Sequence, residues 1–113
     1  MSRRRGYGRV AVAGDSMRPG LADGDWLIVR WGALPRPGDV VVAERPDRPG
    51  LLVVKRATRL AGDGWWLEGD NPAASHDSWL FGPVAADAVA GVAVARYWPR
   101  PRRVGRSRGP LAP

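Results

Sequence analysis

The chain has 113 residues and a mass of 12.2 kDa, which suits one domain and leaves no room for a second hydrophobic core. It contains no cysteine and a single histidine, His76. Disulfides, thiolate metal sites and cysteine nucleophiles are therefore excluded, as is a metal site built on several histidines. Of its 18 basic residues, 17 are arginine and only one, Lys55, is lysine.

The net charge of +7 is concentrated at the two ends of the chain. Residues 1–9 and 96–113 hold ten arginines and no acid, whereas residues 10–95 hold eight basic residues and all eleven acids, a net charge of −3. The ends are also poor in residues that could form a core. We expect a flexible tail over 1–9, a domain over 10–98 and a second tail over 99–113. Weak contact of the tails with an acidic partner or an anionic lipid surface is the alternative to simple solvation.

No apolar segment near the start is long enough for targeting or for membrane insertion. The longest such run, Val10 to Gly14, falls short of the roughly 7–15 residues of a signal-peptide core and the roughly 20 of a spanning helix. We expect a soluble, cytoplasmic protein with no membrane anchor. The lack of cysteine is compatible with a reducing compartment.

Turn-forming residues divide the chain into short pieces, because 15 glycines and 11 prolines are spread over 113 residues. The pieces between them are rich in Val, Ile, Leu and Trp, which favours strands. Helical turns are expected only at Ser16–Ala22 and Pro83–Ala88, and a Gly-Asp-Gly turn predicts a hairpin between the fourth and fifth strands. We predict a mainly β domain, a small bent sheet with little helix. The predicted strands are Arg9–Ala13, Trp26–Trp31, Asp39–Glu44, Leu51–Leu60, Trp65–Glu68 and Val89–Trp98.

Six tryptophans are many for this length, and aromatic residues beside basic ones can bind single-stranded nucleic acid. Trp26, Trp65 and Trp98 fall inside predicted strands, where burial in the core is the expectation. Trp66 follows Trp65 directly and faces the other side of its strand, while Trp79 lies in a polar loop. One or both of these two are candidates for lining a cleft.

The first candidate for chemistry is Ser16, in the segment Gly14-Asp15-Ser16-Met17-Arg18-Pro19. It follows an apolar strand on a tight connection, where backbone amides can point at an oxyanion beside the hydroxyl. A turn or helix-cap serine is the alternative interpretation.

The second candidate is Lys55, which ends the apolar run Leu51–Val54. Burial lowers the pKa of an amine, because the charged form loses most on leaving water. A neutral lysine can accept the proton of a serine nucleophile, whereas arginine stays protonated. A lysine on an edge strand whose amine reaches solvent is the alternative.

A third segment, residues 69–84, is a polar loop that suits either a set of Asx turns or the support of a catalytic base. Together with the first two, and in this order along residues 10–95, it resembles the type I signal peptidases, the serine-lysine endopeptidases of family S26. The resemblance is carried by Gly-Asp-Ser-Met-x-Pro, Arg36-Pro37-Gly38-Asp39-Val40-Val41, Val54-Lys55-Arg56, Gly-Asp-Asn-x-x-x-Ser-x-Asp-Ser and Phe81-Gly82-Pro83-Val84.

This resemblance implies the coiled β catalytic core that signal peptidases share with LexA-type proteins. It implies Ser16 as nucleophile, with its backbone amide in the oxyanion hole, and Lys55 as general base. Ser75 would orient the lysine amine, and Asp77 with Arg56 would form a supporting ion pair. The remaining implied positions form the loop that shapes the site: Gly69, Asp70 and Asn71.

The sequence also departs from the family pattern. Gly14 stands where many members have a serine that contributes to the oxyanion hole, Gly20 where threonine is common, and Trp79 replaces a frequent arginine. We expect the protein to lack the membrane anchors and substrate-recognition insertions of the family. A short, anchorless member resembles the soluble maturation proteases of nickel-type superoxide dismutase, which implies removal of an N-terminal propeptide from a protein precursor.

Three functions from different classes follow as hypotheses: a propeptide-removing protease, a self-cleaving regulator of the LexA type, and a non-enzymatic basic binding module. No metal, cofactor or nucleic-acid partner is expected for the first. A Ser-His-Asp set is disfavoured, because His76 and Asp77 are adjacent in sequence and their side chains would diverge. We expect His76 to face solvent.

Overall fold

The computed structural model describes residues 5–104. Helix in this part of the chain is limited to α1 (Ser78–Phe81) and 3₁₀ turns at Pro72–Ala74 and Ala86–Ala88. The predicted fold class, mainly β with little helix, is confirmed. The strands are β1 (Gly6–Ala11), β2 (Trp26–Trp31), β3 (Val40–Glu44), β4 (Leu52–Ala61), β5 (Gly64–Glu68), β6 (Val84–Ala85), β7 (Val89–Trp98) and β8 (Arg102–Arg103).

All six predicted strands form, most with ends within one residue of those expected. The helical turn expected at Ser16–Ala22 is instead a series of turns, and only the end of Pro83–Ala88 is helical. The sheet also extends beyond the predicted domain on both sides, since β1 begins at Gly6 and β8 lies in the expected C-terminal tail. The rest of both predicted tails, residues 1–4 and 105–113, lies outside the described residues.

The strands form one antiparallel sheet in the order β1-β2-β7-β3-β4-β5-β6, with β8 pairing with β7. The predicted β4–β5 hairpin is present. Register shifts interrupt the pairing of β2 with β7, β3 with β7 and β4 with β5. Irregularities of this kind bend strands and increase twist, which accounts for the curl of the sheet. Among residues 5–104, no helix is long and apolar enough to span a membrane.

The core has two parts, one on each face of the central strand β3. Val40 and Val42 pack into a cluster with Met17, Leu27 and other residues, while Val41 and Ala43 pack on the opposite face. All four of these β3 residues are at most 1% exposed. Burial on both faces explains why the sequence of β3 is apolar without interruption from Val40 to Ala43. It also makes β3 the support for its neighbour β4, which carries Lys55.

The tryptophans follow the expectation only in part. Trp65 is buried at 6% exposure, but Trp26 is 38% and Trp98 56% exposed, so the prediction of core positions was wrong for these two. They are the first residue of β2 and the last of β7 and lie opposite each other in the sheet. At this end of the strands their rings are left uncovered, and a strand pattern alone does not reveal that.

Candidate active site

Ser16 lies on the loop between β1 and β2, and the two ends of this loop are tied together. The Val12 amide donates to the Asp25 carbonyl and the Gly24 amide to the Val12 carbonyl, each at 2.8 Å. Met17, the residue after Ser16, is 1% exposed and anchors the loop in the core. The loop therefore holds Ser16, which is half-buried, at a defined place beside the core.

The backbone around Ser16 limits which amides can bind an oxyanion. The Gly14 amide donates to Asp23 Oδ1 at 2.7 Å, so it is already used. Gly14 has φ of +83°, a conformation that a serine there would adopt only with strain. Neither the amide nor the hydroxyl of Ser16 has a hydrogen-bond partner among residues 5–104. The Ser16 amide is therefore not used in a hydrogen bond within this part of the chain.

Lys55 is buried within β4 at 4% exposure, and its cross-strand neighbour is Val41. Burial away from water lowers the pKa of the Lys55 amine. The nearby Asp77 carboxylate raises this pKa, and the Arg45 guanidinium lowers it further. The two lowering effects outweigh the attraction to Asp77. The amine is consequently easier to deprotonate than an ordinary lysine, which favours a general base.

Ser75 is the hydrogen-bonding centre of the site. Its Oγ accepts from Lys55 Nζ and from the Gly69 amide, both at 3.1 Å. It donates to Asp77 Oδ2, also at 3.1 Å. One donated and two accepted bonds use the full capacity of a hydroxyl, so Ser75 is held in one orientation and holds the lysine amine in turn.

Asp77 links this centre to α1. Its Oδ2 also accepts from the Gly69 amide at 3.2 Å, and its Oδ1 accepts from the Trp79 amide at 3.1 Å as the N-cap of α1. Because every partner is a donor, the carboxylate form of Asp77 is the one that fits. The side chain expected to pair with Arg56 is thus occupied in orienting Ser75.

Arg56 forms its ion pair with Asp70. Its Nε and Nη2 donate to the two carboxylate oxygens at 2.8 and 2.7 Å, and its Nη1 donates to the Gly38 carbonyl at 2.7 Å. This corrects the Arg56–Asp77 pair that the resemblance implied. The physical reason is that Asp70 lies two residues after Glu68, the end of β5 and the cross-strand partner of Arg56, so it meets the guanidinium in a bidentate geometry.

Gly69 and Asn71 bring the Ser75 loop against the Ser16 loop. A Cβ on Gly69 would lie 2.3 Å from Ser75 Oγ and 2.7 Å from the Ser16 carbonyl oxygen, so only glycine allows this approach. The Asn71 amide donates to the Ser16 carbonyl at 2.8 Å, and its Nδ2 donates to the Asp15 carbonyl at 3.1 Å. Of the three positions predicted to shape the site, Gly69 and Asn71 therefore lie against the backbone of Ser16, whereas Asp70 pairs with Arg56.

Ser16 and Lys55 line one cavity of about 210 Å³, which we call the cleft. One wall is Val10–Ala13 at the end of β1, and the other is Leu51–Lys55 at the start of β4. Within residues 5–104, β1 pairs only with β2, and β5 pairs with β4 only from Arg56 onward. The edge of β1 away from β2 and the edge of β4 away from β3 over Leu52–Lys55 thus have no strand partner among these residues, which is the arrangement that an extended peptide can join.

A family model described as Peptidase S24-like matches residues 2–92. The chain belongs to the Peptidase S24-like family. It is 32% identical to mitochondrial inner membrane protease subunit 1 of Xenopus tropicalis, over 80% of this chain and 68% of the relative. It is 34% identical to mitochondrial ATP-independent inner membrane protease subunit 1a of Arabidopsis thaliana, over 78% and 68%. Identity to inner membrane protease subunit 2 of Danio rerio is 32%, over 80% and 64%.

Membership of the Peptidase S24-like family confirms the predicted class, a peptidase similar to known protease subunits. In this S24-like domain the one histidine, His76, is exposed as predicted. No group of three or more histidine, cysteine or acidic side chains suited to a metal ion occurs within residues 5–104.

Two residues of this S24-like site were not found from sequence. Ser78 is 2% exposed, and its Oγ accepts from the Leu67 amide at 2.8 Å, which fastens α1 to β5. Arg45 is buried next to Phe81, with its guanidinium 5.2 Å from the ring centre and paired with Asp47. The Asp-Ser dipeptide was a signal for Ser78. Nothing distinguished Arg45 from the other arginines, because its burial depends on tertiary packing.

The two tryptophans expected near a cleft, Trp66 in β5 and Trp79 in α1, pack against each other instead. The rings of Trp66 and Trp79 meet edge to face at 5.0 Å. Trp79 is exposed, and its Nε1 donates to Glu68 Oε2 at 2.6 Å. Arg59 lies over the Trp66 ring at 4.6 Å. Neither ring lines the cleft between β1 and β4.

Proposed function

We propose that this protein is a serine endopeptidase in which Ser16 is the nucleophile and Lys55 the general base. One observation carries the proposal: buried Lys55 is oriented by the Ser75–Asp77 chain in the wall of the cleft that also contains Ser16. A chain with one lysine among 18 basic residues has placed that lysine here.

The hydrogen-bond directions around Ser75 fix how the Lys55 amine is oriented. The Gly69 amide can only donate, and Asp77 accepts, so the Ser75 proton goes to Asp77 and Lys55 must donate to Ser75 Oγ. A neutral amine has two N–H groups and one lone pair. With one N–H directed at Ser75, its lone pair is free to accept the Ser16 proton.

The reaction follows in two halves. Lys55 takes the Ser16 proton as Oγ attacks the carbonyl carbon, and backbone amides, that of Ser16 among them, stabilise the oxyanion. The intermediate breaks its C–N bond, Lys55 gives the proton to the leaving amine, and an ester on Ser16 remains. Neutral Lys55 then takes a proton from water, hydroxide adds to the ester, and Ser16 leaves and regains the proton.

The substrate class follows from the walls of the cleft. The unpaired edges of β1 and β4 suit an extended polypeptide that adds backbone hydrogen bonds between them. The catalytic groups lie at the end of the β4 wall, at Lys55. An unfolded segment, such as a propeptide, meets this requirement, whereas a folded domain does not.

The specific substrate we propose is an N-terminal propeptide of a cytoplasmic protein precursor, with nickel superoxide dismutase as the candidate. The support for this substrate is the resemblance of the motifs around Ser16, Lys55 and Ser75 to those of signal peptidases. The protein itself needs no cofactor for the proposed steps. The relatives are named for an inner membrane protease, so the cytoplasmic location is part of the proposal.

The test is mass spectrometry of a purified dismutase proprotein incubated with wild-type, Ser16→Ala and Lys55→Ala protein. The expected result is one defined N-terminal fragment with wild type and none with either variant. Cleavage by Ser16→Ala or Lys55→Ala would refute the dyad. Cleavage of the chain itself, at a rate independent of its concentration, would favour the self-cleaving regulator. No cleavage, with salt-dependent nucleic-acid binding that survives Ser16→Ala, would favour the basic binding module.

A further inference from the structure

A second cavity, of about 340 Å³, adjoins the cleft. Leu52 lines both cavities, and it precedes Lys55 by three residues on β4, about 10 Å along an extended strand. We propose that the second cavity is a specificity subsite that binds an arginine or lysine side chain of the substrate, three to five residues from the bond that is cut. The proposal rests on the peptidase function proposed above.

The lining of the second cavity combines an apolar surface with two carboxylates. Leu34, Pro35 and Leu52 are among the apolar lining residues, and Glu44 and Asp87 are the acidic ones. Leu34 is 88% exposed, so it presents a large apolar side chain with nothing covering it. A volume of several hundred cubic ångströms is typical of pockets that bind ligands.

Arginine and lysine match this lining because each has an aliphatic stem and a charged end. The stem can cover Leu34 and Leu52 while the charged end reaches the carboxylates. A purely apolar side chain would bury the carboxylates without a partner, which is unfavourable. An acidic side chain would be repelled.

Both carboxylates have capacity for a new partner. Glu44 Oε2 accepts from the Gly50 amide at 2.6 Å, which orients the side chain and leaves Oε1 for another donor. Among residues 5–104, neither Glu44 nor Asp87 is in an ion pair. The body of the domain, residues 10–95, is net negative, which adds to the attraction for a cation.

The distance of the second cavity from Lys55 determines which substrate residue can place its side chain there. A peptide bound along the free edge of β4 advances about 3.3 Å per residue. It passes Leu52 about three residues from the catalytic amine, and the second cavity extends beyond that point. The side chain that enters is therefore separated from the cut bond by a fixed number of residues.

The catalytic test uses a library of internally quenched dodecapeptides in which one position at a time is arginine or its neutral analogue citrulline. Mass spectrometry locates each cut. We expect kcat/KM to be about fivefold higher with arginine at one position three to five residues from the cut, which is the upper range for an exposed ion pair. In the double variant Glu44→Gln/Asp87→Asn, the ratio of kcat/KM for the arginine peptide to that for the citrulline peptide should be near one. The control variant Asp63→Asn, which removes a charge from the β4–β5 turn, should keep the wild-type ratio.

A binding test separates this proposal from the catalytic one. Fluorescein-labelled arginine and citrulline versions of the peptides are titrated against Ser16→Ala protein, with and without Glu44→Gln/Asp87→Asn, by fluorescence anisotropy. A tighter arginine complex that depends on the two carboxylates supports the subsite even if no peptide is cut, a result that refutes only the peptidase. Equal affinity for both peptides, or a preference unchanged in the double variant, overturns the subsite even if peptides are cut.

Discussion

Lys55 and Ser75 are 20 residues apart in the sequence, and the structure joins them by a hydrogen bond of 3.1 Å from Nζ to Oγ. The bond connects a strand in the core with a loop outside the sheet. It orients the amine of a buried lysine, as the proposed general base requires.

Ser75→Ala should lower kcat without unfolding the protein. The change removes the acceptor of Lys55, while the Gly69 amide keeps its bond to Asp77 Oδ2. A hydrogen bond to a charged or charge-developing group is worth about 1.5–3 kcal/mol, so kcat should fall about 10- to 100-fold. Steady-state kinetics on a cleaved peptide measures this, with KM expected to stay within about twofold. A wild-type kcat would contradict the role of Ser75.

Ser78→Ala is the matched control. It removes a serine hydroxyl three residues from Ser75, at the start of α1, and this hydroxyl does not contact Lys55. It leaves the buried Leu67 amide without its partner, at a cost of about 1–3 kcal/mol in the free energy of unfolding. Urea denaturation should show this loss, while kcat of the folded variant stays near the wild-type value. Equal losses of kcat in both serine variants would mean that the loop acts only through its stability.

Lys55→Met should abolish cleavage and leave the fold intact. Methionine fills a similar volume but has no proton acceptor, so we expect a fall in kcat/KM of at least 10³-fold. The folded-state pKa of Lys55 is lowered, so between that pKa and the usual 10.5 the unfolded chain binds more protons and stability rises with pH. Lys55→Met should be more stable than wild type near neutral pH and lack this rise. A stability of Lys55→Met below that of wild type at pH 7 would contradict the burial argument.

The pH profile of kcat/KM should have an acid limb set by Lys55, because only the neutral amine accepts the Ser16 proton. Burial has the largest effect and lowers the pKa of Lys55, Asp77 raises it, Arg45 lowers it further, and Ser75 is uncharged. Arg45→Met keeps the packing on Phe81 and removes the positive charge, so the pKa of Lys55 should rise and the limb should move to higher pH. Arg48→Met, an exposed neighbour in the same turn, should leave the limb in place. A limb that moves to lower pH would refute the role of Arg45.

Much of the fold was predictable because its signals are local. Apolar runs between glycine and proline turns placed all six long strands. The exposure of Trp26 and Trp98 was not predictable in this way, because the exposed fraction of a side chain at the end of a strand depends on what covers that end of the sheet. The order of the strands, with β7 between β2 and β3, has no local signal at all.

The residues of the candidate site also differ in whether the sequence alone could identify them. Lys55 was recognisable because it is a lone lysine after an apolar run, and Ser16 and Ser75 because of their motifs. The partner of Arg56 was not recognisable, since Asp70 and Asp77 lie in one loop and only the path of that loop selects Asp70. Arg45 was missed for a similar reason, because its contact with Phe81 joins distant parts of the chain.

Gly69→Ala should abolish the proposed cleavage by displacing the loops that carry Ser16 and Ser75. The added carbon would collide with Ser75 Oγ and with the Ser16 carbonyl oxygen, and the second contact is with backbone that cannot rotate away. We expect kcat/KM to fall at least 100-fold, because a displacement of about 1 Å in an active site has that effect. Ala73→Ser adds one atom at an exposed position of the same loop and should keep full activity. Wild-type kinetics in Gly69→Ala would show that the two loops are not in close contact in solution.

Asp70→Asn should weaken the support of the site more than its chemistry. The change keeps the shape of the side chain but removes the charge from a bidentate pair whose side chains are 14% and 17% exposed. Charge-assisted hydrogen bonds of this kind are worth about 1.5–3 kcal/mol, and partial solvent access reduces that, so we expect a loss of about 1–2 kcal/mol in the free energy of unfolding. Urea denaturation measures the loss, and Asp63→Asn, in an exposed turn, should show none. Because Asn71 still holds the Ser16 carbonyl, kcat should fall less than tenfold, and a larger fall than in Ser75→Ala would place Asp70 in the catalytic machinery instead.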